Sequence, residues 1–198
     1  MKRMIMSVFI LISAGIAYAG DYPDQIKFAG QTLGLVCTKT AGVNFTAEFI
    51  PPGQRISKTN SKITIVYYPS VTLTAVEKTT AIKTEIDGRI KSGDPVAMAN
   101  VMNLDYSHNR EAVIYVTRSY NNFSVYEKSI IYLGNTANGI MTVEFSRRYN
   151  VKKQNDPGVN DFQEDFFKAE DGYLSELRTT KWPLPEKEKE TGTSRDVP

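Results

Sequence analysis

Cys37 and His108 are each the sole residue of their kind in the chain. That scarcity limits the chemistry available. Zinc and iron sites draw several ligands from these two types, and no acidic run has the spacing of a calcium loop, so no metal site is expected. Nucleophilic catalysis needs a base beside the nucleophile, and no G-x-S-x-G elbow occurs. The remaining pair, Cys37 with His108, would join a strand residue to a turn. His108 stands among Ser107, Asn109 and Arg110 and is expected as an exposed turn histidine. Cys37, in Leu33-Gly34-Leu35-Val36-Cys37, is expected as a small buried strand residue, with an intermolecular disulfide as the alternative. No catalytic residue, metal or cofactor is assigned.

Acid–base work would fall to Glu48, Glu127, Glu144 or Glu170. Glu48 and Glu127 lie on strands and are expected on the solvent face. Glu144 is expected to pair with Lys128 across a hairpin in which Leu133 meets Gly139. That register puts Ile131 and Leu133 on one face with Met141, Val143 and Phe145. Glu170 is the odd placement, because helical spacing sets it within the stripe Phe166, Tyr173, Leu177. A carboxylate there needs Arg147 or Arg148 as partner, marks the point where the helix leaves the sheet, or serves as a pocket acid. The candidate ligand site is therefore Glu170, Arg147, Arg148, Tyr126 and Tyr132. Tyr67, Tyr115, Tyr126 and Tyr132 lie on strands and offer an aromatic platform, although tyrosine is simply favoured on half-wet strands.

The elements that must position these residues follow from pattern. A strand is expected around Leu33–Thr38, then Phe45–Ile50, stopped by Pro51-Pro52-Gly53. Lys62–Tyr68 is β-branched and aromatic. Residues 71–91 change to helical period, with Val76, Thr79, Ile82, Ile86 and Ile90 on one face and Gly93-Asp94-Pro95 beyond. Strands Val96–Leu104, Glu111–Arg118, Ser124–Leu133 and Gly139–Tyr149 have short turns between them, so they must pair as antiparallel hairpins. A second helix is expected over 161–181. Asp161 and Glu164 form its capping box, and Phe162, Phe166, Phe167, Tyr173, Leu174 and Leu177 its apolar face.

The first nineteen residues are laid out as a cleavable export signal: Lys2 and Arg3, an uncharged apolar run, then Ala17-Tyr18-Ala19. Lys2 and Arg3 carry the whole formal surplus of +2, so the remaining chain is formally neutral. A neutral chain has no field to draw nucleic acid. Residues 20–185 are expected as one domain and 186–198 as a charged, disordered tail. No membrane insertion is expected after cleavage, and the location is periplasmic or secreted.

Glu48-Phe49-Ile50-Pro51-Pro52-Gly53-Gln54, followed by a strand, a helix and Gly93-Asp94-Pro95, resembles a group of small exported bacterial proteins of unknown function. Phe123–Lys128, Phe145-Ser146-Arg147-Arg148 and Lys181-Trp182-Pro183 fit the same order. That group is similar in outline to PsbP/Mog1-type domains, which implies an open antiparallel sheet with helices on one face. The resemblance implies no catalytic residues. Thr59 stands where the group commonly carries an aromatic residue.

The expected fold is α+β: an antiparallel sheet of about six strands, with helices at about 71–91 and 161–181 packed on one face. The leading expectation for function is a non-enzymatic module of the bacterial envelope or a secretion system that binds another envelope or secreted protein. A small-ligand binder or enzyme with a cleft near Glu170 is the alternative, and an inhibitor or immunity-type protein a further one. Oligomeric state is left open.

Overall fold

The computed structural model describes residues 22–91, 96–120, 123–153 and 155–184. The segment expected as an export signal, Gly93-Asp94-Pro95, Asn121-Asn122 and the tail from 186 lie outside these residues. Among them, eight strands form one sheet: β1 (Gln25–Phe28), β2 (Gln31–Ala41), β3 (Asn44–Ile50), β4 (Ser61–Pro69), β5 (Val96–Asn103), β6 (Glu111–Tyr120), β7 (Val125–Thr136) and β8 (Gly139–Asn150). Their order is β1-β2-β3-β4-β8-β7-β6-β5, with every pair antiparallel. Helix α1 (Ala75–Lys91) carries the chain from β4 to β5 at the far edge. The strands then return until β8 pairs with β4, and α2 (Gly158–Thr179) follows. Eight strands replace the expected sheet of about six, one more than the seven strand spans located along the sequence. β1 is too short for periodicity to announce it, and β2 runs well beyond Leu33–Thr38.

The helices lie on opposite faces of the sheet, not on one. Ile130 and Tyr132 of β7 pack with Phe166 and Leu177 of α2, while Ile131 and Leu133 pack with Ala75 and Ile86 of α1. β6 divides in the same way, Val113 and Tyr115 toward α2 and Ile114 and Val116 toward α1. Successive strand residues point to opposite faces, so both faces of these two strands are covered. Their sequences say as much. Ile130-Ile131-Tyr132-Leu133 is a continuous apolar run, the pattern of a strand buried on both sides. β4 is buried more on one face than the other: Ile63, Ile65 and Tyr67 are fully buried on the α2 side, between half-buried Lys62, Thr64, Val66 and Tyr68.

The α2-side core is aromatic. The ring of Phe145 lies 4.8 Å from those of Phe28 and Tyr173, and Trp182 closes the cluster 5.9 Å from Phe28. Each fully buried side chain of this kind contributes about 1.5–3 kcal/mol. The Trp182 indole donates to the Leu177 carbonyl at 2.8 Å, tying the chain after α2 to its last turn.

The β7–β8 hairpin is longer than expected. Thr136, not Leu133, pairs with Gly139, so only Ala137 and Asn138 form the turn. A Cβ on Gly139 would lie 2.1 Å from the Tyr68 carbonyl oxygen, so this position requires glycine. The change in register reverses the faces. Leu133 meets Thr142, Ile131 meets Glu144 and Lys128 meets Arg147. The expected Lys128–Glu144 pair does not form, and Met141, Val143 and Phe145 lie on the face opposite Ile131 and Leu133.

The capping box also lies elsewhere than expected. α2 starts at Gly158, three residues before Asp161, and has no side-chain cap. The box belongs to α1: Thr74 N–H donates to Glu77 Oε2 at 2.7 Å, and Glu77 N–H donates to Thr74 Oγ1 at 3.2 Å. Asn135 adds a long-range cap, its Oδ1 accepting from Ala75 N–H at 2.9 Å. Phe167, expected on the apolar face of α2, is 70% exposed.

Candidate functional site

With one helix on each face and the two offset along the strand order, two areas of the sheet lack a helix. The first lies on the α1 side over β2, β3, β4 and β8. It is built from charges. Glu48 accepts from Lys62 at 3.2 Å and lies 3.7 Å from Lys39. Arg118 Nη1 donates to Glu144 at 2.7 Å and to Glu127 at 3.0 Å. Glu127 accepts from Arg148 as well, and Arg148 also reaches the Ile56 carbonyl in the loop before β4. Burial raises the Glu144 carboxyl pKa, but attraction to Arg118 with hydrogen bonds from Arg118 and Ser129 outweighs it, leaving the group below its ordinary range. Glu127 keeps only 3% of its side chain exposed, against its expected place on the solvent face. A general base needs an uncommitted lone pair. These carboxylates are committed to cations, and the stripe acts as scaffold. Cys37 lies half-buried on this face, opposite Glu48.

The second area lies on the α2 side over β5 and β6. Asn100 pairs with Tyr115 and Met102 with Val113, which places all four side chains on that face. Met102 is 47% exposed and Asn100 is exposed. On the flank of α2 nearest Tyr115 lie Glu170 and Asp171. Burial raises the pKa of Glu170, Lys128 partly counters that, and Asp171 adds to it. The Tyr115 phenol is raised by burial and by the charges of Glu170 and Asp171, so both carboxylates act on this spot. Neither forms an ion pair within 4 Å among the described residues. The strand at the rim, Val96-Ala97-Met98-Ala99-Asn100-Val101-Met102-Asn103, has no charge and no proline. Val101 is exposed on its other face.

The five residues expected to form a ligand site are dispersed. Glu170 has Lys128, not an arginine, as its nearest opposite charge. Arg147 Nη1 donates to the Tyr173 hydroxyl at 3.3 Å and covers the Phe162 ring. Arg148 is on the opposite face with Glu127. The Tyr132 hydroxyl donates to Glu111 at 3.1 Å, and burial and Glu111 push its pKa up to about 12. Tyr126 lines an open groove of about 920 Å³ with Phe123, Lys152 and Asp156 near the start of α2. The tyrosine platform does not form either, since Tyr67 and Tyr132 are buried on the α2 side. His108 is exposed in its turn, 3.5 Å from Asp105. No group of three or more possible metal ligands occurs among the described residues. Arg118, the centre of the charged stripe, was not identified as a site residue. Its position on β6, in line with β7 and β8, was the available signal.

The architecture defines an antiparallel α+β module whose sheet has one helix on each face. A family profile matches residues 21–182, and the chain belongs to that family, which is uncharacterised. No curated protein matches it. No helix among the described residues is long and apolar enough to cross a membrane.

Proposed function

We propose that this protein is an exported, non-enzymatic module of the bacterial envelope or a secretion system that acts by binding another polypeptide. The observation that carries the reading is the contrast at the sheet margin, where an uncharged edge strand leaves Val101 exposed on one face and Met102 exposed on the other. Apolar surface gathered at an edge marks an interaction site, whereas single exposed apolar residues do not. The layout of residues 1–19 supports export, and the family match begins at residue 21, just past that segment.

The test is a photo-crosslinking residue placed at Met102, with one at Lys39 in the charged stripe as reference, in the protein produced in its own host. A discrete adduct from position 102 in the envelope or secreted fraction is expected. Adducts from neither position, or retention of the protein in the cytoplasm, would overturn the reading. The groove beside Tyr126 favours a second reading, a small-ligand binder. It predicts that metabolite mixtures shift the amide resonances of residues 123–126 and 155–160 and no others.

A further inference from the structure

The geometry points to β5 as a strand-addition site: an extended segment of the partner pairs there as a ninth strand, its apolar residue against Met102 and its basic residue, two positions along, toward Glu170 and Asp171. This rests on the polypeptide-binding reading above and names the surface and the chemistry of the occupant.

The two edges of the sheet differ. β1 has four residues, carries exposed Lys27, and is followed by Ala29, whose N–H donates to Glu176 Oε2 of α2 at 3.0 Å. Short length, a lysine and a covering helix are the usual defences against strand addition. β5 has eight residues with no charge and no proline, and it is the terminal strand of the sheet. Its backbone offers the main-chain partners that hold an added strand, and side-chain pockets then give specificity.

Alternation fixes that specificity. An added residue opposite Met102 lies on the α2 side and meets an adaptable thioether. Its neighbour lies on the α1 side against Val101. The next lies opposite Asn100, again on the α2 side. Strand spacing puts Tyr115 about 10 Å from that residue's backbone, within reach of a lysine or arginine stem that lies over Asn100. There the cation meets Glu170 and Asp171, which the described residues leave without an ion pair. A second copy of this chain would bring no cation, since β5 has none and the flank beyond it is again Glu170 and Asp171. Charge complementarity therefore selects a partner segment of apolar-apolar-basic pattern.

The experiment is selection of random short peptides displayed on phage against the purified protein, followed by fluorescence anisotropy with a labelled synthetic peptide from the selected pool. Peptides with the apolar-apolar-basic pattern are expected, losing at least about tenfold in affinity on Met102→Lys. A Glu170→Lys, Asp171→Lys double variant is expected to turn the selected charge from basic to acidic. Thermal melts establish that each variant is folded, and Val101→Lys provides a second edge variant should Met102→Lys fail to fold. Selection of no peptide, binding unchanged by the edge variants, indifference to the charge reversal, or a dimer that Met102→Lys dissociates would each overturn the proposal. A partner crosslinked in the envelope that still binds the edge variants would sink strand addition and leave the binding reading standing.

Discussion

Glu144 and Glu170 lie on opposite faces of the same sheet, and their carboxyl pKa values shift in opposite directions. Burial raises both. At Glu144, Arg118 more than offsets burial. At Glu170, Lys128 offsets it only in part, and Asp171 works against it. The two helix-free areas differ in the same sense. On the α1 side every carboxylate of the stripe meets a cation within 4 Å, so the surface is complete in itself. On the α2 side two carboxylates and an apolar strand wait on groups that the described residues do not supply. A helix-free sheet face is not by itself a binding site. What distinguishes one is polar and apolar surface left uncompensated.

The sharpest way to break this comparison is to remove the carboxylate that two arginines of the complete side share. Glu127→Ala leaves Arg118 and Arg148 facing each other without the carboxylate between them, and removing one partner of a buried ion pair typically costs about 3–5 kcal/mol. That loss should appear in urea denaturation, with crosslinking from position 102 unchanged. A variant that lost the crosslink while keeping its stability would place function on the charged face. Acid should act on the same side. Glu144 has a folded-state pKa below its unfolded value, so its contribution is full above the unfolded value near 4.5 and is lost as pH falls through the folded one. Denaturation midpoints measured from pH 6 down to pH 3 should fall, and NMR should show Glu144 titrating below 4.5.

The defended edge supplies the next test. Glu176→Ala removes the acceptor for Ala29 N–H and should cost about 1.5–3 kcal/mol, the range of a hydrogen bond to a charged group. Exchange of the Gln25–Phe28 amides should quicken while that of β5 stays as it was. Met102→Lys at the other edge should change stability by less than about 0.5 kcal/mol, because the side chain is half exposed. A large loss there would mean that β5 is part of the core.

Much of this contrast was legible in the chain, though not all. Seven of the eight strands and both helices follow from hydrophobic period. The eighth, β1, is only four residues long and is held where Phe28 meets Phe145, Tyr173 and Trp182, none of which is local. The placement of the helices on opposite faces was written in the doubly apolar runs of β6 and β7. It was missed because amphipathic helices suggest a one-sided sheet. The hairpin register turned on treating Gly134-Asn135-Thr136 as loop. Asn135 continues the strand instead, its side chain capping α1 from 60 residues away, and the shift turned Glu144 from Lys128 to Arg118. Glu170 stood out in sequence because a carboxylate interrupted an apolar stripe. Its surroundings depend on which strand passes beneath it, and only the tertiary pairing decides that.

The smallest effect bears most directly on the unfinished side. Because the pKa of Glu170 is raised in the folded protein, the folded state binds its proton more tightly than the unfolded chain does. Its contribution is therefore most favourable below the unfolded pKa and declines as pH rises through the raised value, the reverse of Glu144. Glu170→Gln should leave stability at pH 3 unchanged and increase it slightly at pH 7, by less than about 1 kcal/mol because water screens the site. A bound basic residue should lower the Glu170 pKa, so peptide affinity should rise with pH through this range. Lys128, Asp171 and Tyr115 are the charged and titratable groups that face Glu170. Asp171→Asn should narrow the pH dependence without abolishing it. Affinity flat in pH, or a Glu170→Gln variant that binds as tightly at pH 7 as the parent, would remove the carboxylate from recognition and leave the apolar edge as its sole determinant.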